Sequence, residues 1–161
     1  LVPIAFAVGV ASVPLVGMAM GAGLVARARR VAWTAAGLAV GLLSVIGAVV
    51  ALRPDTWSGL FTADAGVQAA AASYFQWVGP CYGLLGVGLS LYFSSMGAGK
   101  VAGPVLAGTL RLVVVAAGGL ALAAASAPAW MIFALIAFAM AAYGIATALF
   151  VGFTSWGSGK R

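Results

Sequence analysis

Five long apolar runs constrain this chain more than any other feature of its sequence. They cover residues 2–24, 31–52, 67–96, 101–125 and 130–154, and each is close to the roughly 20 residues that a helix needs to span a membrane. Hydrophobic residues make up 65% of the chain and charged residues 6%, whereas soluble domains average about 45–50% and about 25%. Water cannot satisfy backbone polar groups inside hydrocarbon, so such runs must form helices. We predict an all-α, polytopic membrane helix bundle of about five transmembrane helices, with residues 1–161 as a single transmembrane domain.

The few polar side chains exclude several classes of protein. The sequence has no His and a single cysteine, Cys81, so histidine-based and multi-cysteine metal sites and Ser-His-Asp or Cys-His catalysis are excluded within it. We therefore expect no enzyme, no bound metal and no cofactor. The net charge of +6 reflects eight basic and two acidic residues, and the basic residues form no aromatic-lined face of the kind that binds nucleic acid. We expect Cys81 to be a small apolar filler rather than a reactive thiol.

Charges outside the runs predict how the bundle sits in the membrane. If all five runs span, the basic residues on one side are those within 26–30, which we expect to close a short loop, and those at 100, 160 and 161. The other side has Arg53 together with both acids, Asp55 and Asp64, in a loop that we expect to contain an interfacial turn of helix. The positive-inside rule then places the basic side and the carboxyl terminus in the cytoplasm.

Two further patterns mark the ends of the runs. All five tryptophans, at 33, 57, 77, 130 and 156, lie in loops or near predicted helix ends, as in the aromatic belt of a membrane protein. The tetrapeptide MGAG occurs at 20–23 and again at 96–99, each time before another run. The repeated MGAG has two interpretations. It could result from an internal duplication, or the same helix-ending sequence could occur twice independently, and the second interpretation, the helix-stop interpretation, is favoured.

The third run, within Tyr74–Lys100, combines small and polar residues on one side. At 100° per residue they form a continuous stripe on a helix, consisting of Gln76, Gly79, Gly83, Gly86, Ser90, Ser94 and Gly97. Small residues of this kind let helices approach one another in a membrane. The opposite face is bulky and apolar, with Trp77, Leu84 and Tyr92 among its members, and we expect lipid behind it.

Two prolines interrupt predicted spans. Pro80 has no N–H and leaves the carbonyl of Gln76 without its helical partner, and Pro14 does the same to the carbonyl of Val10. In hydrocarbon a freed carbonyl needs another partner or a water-filled cavity. Each proline is a candidate hinge that lets its helix bend, and the alternative for Pro80 is a static packing kink.

Arg111 is the one charge that the runs place inside the membrane. It lies about ten residues past Lys100, or roughly 15 Å along a helix, near the middle of a core of about 30 Å. Insertion at that depth costs about 2.5–3.5 kcal/mol. Arg111 could snorkel toward the headgroups, but small residues on its face favour a cavity or a partner carboxylate. No carboxylate lies within the runs, so that partner is expected on missing helices or on a substrate.

The order of several motifs resembles one known family. ASVPLVGMAMGAG is followed by ARARRVAWTAAGLA, by LF in the outer loop, and then by VGPCYGLLGVGLSLYFSSMGAGK and PVLAGTLRL. This order resembles the multidrug and toxic compound extrusion (MATE) family, and most closely its branch related to the DNA-damage-inducible F protein. The resemblance implies the last five helices of a twelve-helix transporter, with the first helix of the carboxy-terminal lobe and the whole amino-terminal lobe missing. The first residue, Leu, without an initiator Met, also leads us to expect a piece of something longer.

The resemblance also implies a function. It implies a secondary antiporter of the bacterial inner membrane, which exports amphiphilic or cationic small molecules against Na⁺ or H⁺ by alternating access between two lobes. Under it, Gln76, Tyr82, Ser90, Ser94 and Arg111 are candidates for the wall of the substrate cavity, although Gln76 could simply be wetted at the outer interface. Some members carry an acid in the tenth helix, whereas residues 67–100 contain none, so no ion-binding residue is expected in this chain. Two alternatives stay open: a flippase for lipid-linked sugars or another amphiphile, and a non-transporting membrane scaffold.

Overall fold

A computed structural model describes residues 2–157, and every regular element in that part is helical. The elements are α1 (Val2–Gly21), α2 (Val25–Leu52), α3 (Pro54–Ser58), α4 (Ala65–Val78), a 3-10 turn (Gly79–Cys81), α5 (Tyr82–Gly97), α6 (Ala102–Ala124) and α7 (Ala129–Phe153). Among the described helices, four are long and apolar enough to cross a membrane: α1, α2, α6 and α7. The third predicted span is covered by α4 and α5 together. The prediction of a helical membrane bundle is confirmed, and the chain is an integral membrane protein.

Helix α5 lies at the centre of the bundle. It packs against α1, α2 and α7, whereas α6 packs mainly on α7. The ends of the helices form two groups. We call the end with Arg27, Arg29, Arg30 and Lys100 the basic end, and the end with Asp55 and Asp64 the acidic end. The predicted basic residues at 160 and 161 lie outside the described residues.

The second span begins earlier than predicted. The sequence predicts a loop through 26–30 and a helix from 31, but α2 begins at Val25 and includes all three arginines. Arginine is a good helix former, and its long side chain can carry the charge away from the helix axis, so a basic segment does not have to be a loop. Arg29 also has a partner in the bundle, because it donates hydrogen bonds to the carbonyls of Thr154 at 3.1 Å and Gly152 at 2.8 Å. These carbonyls follow the end of α7 or lie within its last turn, where a cation is favoured.

The third span begins and bends where its sequence indicates. The carboxylate of Asp64 accepts a hydrogen bond from the backbone N–H of Val67 at 2.9 Å and caps α4, which therefore starts two residues before the predicted 67. At Pro80 the α-helix gives way to one 3-10 turn and then resumes at Tyr82. The expected interfacial turn before it is also present, as α3.

The stripe of small residues on the 3-10 turn and α5 is a helix contact. A side chain at Gly79 would meet Gly47 and Ala51, and one at Gly86 would meet Ala39, so the first half of the stripe packs on α2. A side chain at Gly97 would lie 2.5 Å from the carbonyl oxygen of Val13, so the second half packs on α1. The absence of a Cβ brings these backbones together, as is typical of small residues in membrane helices.

Of the predicted bulky face, Trp77 on α4 is 45% exposed, but the part of the face on α5 does not face lipid. Leu91 is fully buried and Leu85 is 7% exposed. Gly144 of α7 approaches the backbone of Leu84 so closely that any side chain there would strike its carbonyl. A helical wheel of one helix separates its small face from its bulky face, but it does not show whether another helix covers the bulky face. Helix α7 covers it.

Three helix ends share one hydrogen-bond pattern. At the end of α1, Gly23 has φ +72° and the N–H of Leu24 reaches the carbonyl of Ala19 at 2.8 Å. At the end of α5, Gly99 has φ +66° and the N–H of Lys100 reaches the carbonyl of Ser95 at 2.9 Å. Both copies of MGAG thus close a helix with a Schellman motif, as the helix-stop interpretation predicts. The same pattern follows α6, where Ser126 has φ +52° in the glycine position.

Trp156 departs from the predicted aromatic belt. Trp33, Trp57, Trp77 and Trp130 are 41–48% exposed, whereas Trp156 is 3% exposed. Its ring packs among residues of α1, α2, α5 and α7 at the basic end. The segment after α7 brings Trp156 into the bundle. Its position close to a helix end therefore does not place its ring at the membrane interface.

Candidate functional site

A groove lies between α5, α6 and α7, on the side of α5 away from α2. It has a volume of about 340 Å³ and is lined by Leu89, Tyr92, Pro104, Val105, Gly108, Thr109, Leu112 and Tyr143. We call it the Tyr143 groove. Most of its wall is apolar, and the two tyrosines and Thr109 supply hydroxyl groups. A concave apolar surface with a few polar groups is the usual form of a small-molecule site.

Arg111 borders the Tyr143 groove. The central carbon of its guanidinium lies 5.6 Å from the centroid of the Tyr143 ring, which is within the range of a cation–π contact. Such contacts contribute about 0.5–2 kcal/mol, and the larger values apply where water is excluded. Within residues 2–157, Arg111 forms no ion pair, and the only two acids of the sequence lie outside the long spans. The guanidinium therefore has an aromatic neighbour while its N–H donors stay free for a ligand.

Helices α6 and α7 hold these groups in place through small residues. They run antiparallel, and Gly103 faces Phe150 while Gly118 faces Leu135. Between these two contacts, Gly108 faces Tyr143, and a Cβ at Gly108 would lie 3.7 Å from its ring. Only Pro104 and Ala107 of α6 are buried, so α6 lies on the surface of the bundle and forms the outer wall of the groove.

The predicted site residues lie in four different places. Gln76 is exposed on α4, near the acidic end, and Tyr82 is 6% exposed in the core. Ser90 and Ser94 are fully buried in the bundle, with Ser94 bonded to Ser12 of α1. Arg111 lies on the opposite side of α5, at the Tyr143 groove. The described part of the chain therefore does not bring the five residues together into one cavity wall.

The two predicted hinge residues both face outward. Pro14 lies within an uninterrupted α1, and Pro80 lies in the 3-10 turn between α4 and α5. Cys81, next to Pro80, has a polar contact that was not expected: its thiol lies 3.9 Å from the carbonyl of Trp77 and donates a weak hydrogen bond. The 3-10 turn removes helical partners from carbonyls at this point, and the thiol replaces one of them.

Tyr143 is the residue of the groove that sequence reasoning missed. Helix α7 is apolar along most of its length, and Tyr143 and Thr147 stand out as hydroxyl-bearing residues one turn apart. That spacing was the available signal. Thr147 is fully buried. Within residues 2–157, no group of three or more His, Cys, Asp or Glu side chains could hold a metal ion.

Comparison with protein families identifies the chain. A family model, MatE, matches residues 1–118. The chain belongs to the MATE family. Members of this family are transporters of multidrug and toxic compounds rather than enzymes. The match ends within α6, so the MATE segment includes Arg111, while Tyr143 on α7 follows it. No curated protein and no solved structure matches this MATE chain.

Proposed function

We propose that this MATE chain forms the last five helices of a secondary antiporter that exports amphiphilic organic compounds by alternating access. The observation that carries the proposal is the Tyr143 groove with Arg111 at its border. It combines apolar walls, two aromatic hydroxyls and a cation with free N–H donors. In this groove the charge of Arg111 favours neutral or anionic polar groups of a substrate, and the tyrosine rings favour aromatic groups.

The coupling ion, Na⁺ or H⁺, binds elsewhere in this proposal. Membrane coupling sites are usually built on carboxylates, and this chain has only Asp55 and Asp64. Asp64 caps α4, and Asp55 lies in the short helix α3. The chain therefore supplies a wall of the substrate path, and the ion-binding carboxylate belongs to the missing amino-terminal lobe.

The proposed orientation places the basic end in the cytoplasm of a bacterial cell. The positive-inside rule supports it through Arg27, Arg29, Arg30 and Lys100 at one end of the described helices. The 3-10 turn at Pro80 then lies in the outer half of the bundle. We propose that this turn bends during alternating access, because not all carbonyls near it accept the backbone hydrogen bonds of a regular α-helix.

Substitutions of Arg111 and Tyr143 test the proposed function. Arg111→Ala and Tyr143→Leu should both reduce drug efflux from intact cells, because one removes the cation and the other removes the ring beneath it. Tyr143→Phe retains the ring and should keep most of the activity. Normal efflux by both Arg111→Ala and Arg111→Lys would show that Arg111 only snorkels and would contradict the role given to the groove.

Accessibility of the groove gives a second test of the same proposal. With Cys81 replaced by Ala, single cysteines at Val105 or Thr109 should react with a thiol reagent at rates that change when substrate is added. Leu106 is 60% exposed on the outer surface of α6 and provides the control position, where labelling should not change with substrate. A labelling rate of the Thr109→Cys variant that does not change when substrate is added would contradict the proposal.

A further inference from the structure

A second apolar cleft lies between α1 and α2, at the opposite side of the bundle from α6. Its volume is about 610 Å³. Its α1 wall runs from Ala7 to Leu15 and its α2 wall from Arg30 to Leu38. Eight residues of helix rise about 12 Å, which is close to the half-thickness of a membrane core of about 30 Å. The cleft therefore has roughly the depth of one lipid leaflet.

The cleft continues to the basic end of the bundle. A smaller pocket of about 210 Å³ shares Leu15 and Val31 with the cleft and reaches Arg27. Two guanidinium groups, those of Arg27 and Arg30, thus lie where the apolar space opens. The long apolar part lies deep in the membrane and the charged part lies at its edge.

The two arginines at this opening have no partner in the described part of the chain. Arg27 and Arg30 are exposed, and neither forms a hydrogen bond or ion pair with a residue in 2–157. Arg29, between them, is engaged by the carbonyls at the end of α7. Both acids of the sequence lie at the other end of α2 or beyond it. Like charges three residues apart on a helix repel each other, so an anion between them would relieve an unfavourable contact.

The chemistry of the cleft selects its occupant. An organic cation would be repelled by the two arginines, and an apolar helix would fill the space without neutralising them. An anionic phospholipid fits both parts, because its acyl chain is apolar and its phosphate accepts bidentate hydrogen bonds from guanidinium groups. Basic pockets between membrane helices on the cytoplasmic side are typical sites for anionic headgroups. We propose that this cleft binds an anionic phospholipid, with an acyl chain between α1 and α2 and its phosphate held by Arg27 and Arg30.

Lipid binding to the purified, detergent-solubilised protein tests this proposal without reference to transport. Native mass spectrometry should show retention of phosphatidylglycerol in preference to phosphatidylcholine of the same chain length. Arg27→Gln with Arg30→Gln should weaken phosphatidylglycerol binding by about tenfold or more, since each basic residue near an anionic headgroup contributes about 1 kcal/mol. Lys100→Gln removes one charge at the same end, outside the cleft, and should have little effect.

The apolar half of the site has its own test. Ala11 lines the cleft and is exposed, so Ala11→Phe should fill the space and displace the lipid without disturbing buried packing. Equal retention of phosphatidylglycerol and phosphatidylcholine by the unaltered protein would overturn the proposal. So would unchanged phosphatidylglycerol binding in the double arginine variant. Unchanged binding in Ala11→Phe would likewise overturn the proposal, because it would show that the acyl chain does not occupy the cleft.

Discussion

The hydroxyl oxygens of Ser12 and Ser94 lie 2.8 Å apart where α1 crosses α5. Each hydroxyl also contacts a carbonyl of its own helix, Ser12 that of Gly9 at 2.6 Å and Ser94 that of Ser90 at 3.0 Å. Two hydroxyl protons cannot donate to three acceptors at once, so the pair must alternate between the bond across the helices and the bonds within them. The contact is buried, polar and shared between two spans.

A double-mutant cycle on this pair should yield a small coupling energy. Ser94→Ala leaves Ser12 free to donate to Gly9 permanently, so part of the loss is recovered. We expect a coupling of about 0.5–1 kcal/mol, similar to other hydrogen bonds between membrane helices. Unfolding of Ser12→Ala, Ser94→Ala and the double variant in detergent measures it. Strictly additive losses would mean that the two hydroxyls do not interact.

Arg29 should contribute more to stability than other cations at the basic end. It donates to three carbonyls, those of Val151, Gly152 and Thr154, at distances of 2.8–3.4 Å. Hydrogen bonds that involve a charged group contribute about 1.5–3 kcal/mol, so Arg29→Ala should lower the unfolding midpoint clearly. Lys100→Ala is the control, because Lys100 is exposed at the same end. Equal midpoints for the two variants would contradict this role of Arg29.

Gly144 should tolerate no side chain. A Cβ there would strike the carbonyl of Leu84, and both groups belong to packed helices that cannot yield easily. Gly144→Ala should therefore destabilise the protein by at least about 1–3 kcal/mol, the usual cost of overpacking. At Gly119, where nothing lies within 4 Å, the same change should be neutral or stabilising. Thermal unfolding of the two variants in detergent measures this difference in stability. Similar unfolding midpoints would contradict the close α5–α7 contact at Gly144.

Ser126→Gly should make the protein more stable. Ser126 has φ +52° at the end of α6, a conformation that costs a residue with a Cβ about 1 kcal/mol and costs glycine almost nothing. The gain should appear as a higher unfolding midpoint. Ser126→Ala retains the Cβ and should give no gain, so a similar rise in both variants would point to some cause other than backbone conformation.

The spans could be predicted because their signal is local. The run length, the proline at 80 and the MGAG segments are features of one stretch of chain, and the helices follow them within a few residues, apart from the start of α2. The contacts of Arg29, Trp156 and Tyr143 could not be predicted in this way. Arg29 and Thr154 are more than a hundred residues apart in the sequence. The periodicity of one helix does not indicate which other helix will pack against it.

The candidate site shows the same division. The sequence indicates that Arg111 lies deep in the membrane and that small residues share its helix face. It does not indicate that this face meets Tyr143, which lies in a mostly apolar helix. Ser90 and Ser94 are predicted cavity residues because they are polar side chains in a membrane span. A hydroxyl can equally be satisfied inside helix packing, as that of Ser94 is by Ser12, and the wheel of one helix does not separate these outcomes.

The central position of α5 has a consequence for how the protein is made. Synthesis proceeds from α5 through α6 to α7, but α5 packs on α7 and touches α6 only slightly. While the ribosome is still translating α6, the positions of α5 that meet α7, Leu84 and Gly88, have no partner there yet. Something else must shield these positions in the meantime, either lipid or a component of the insertion machinery.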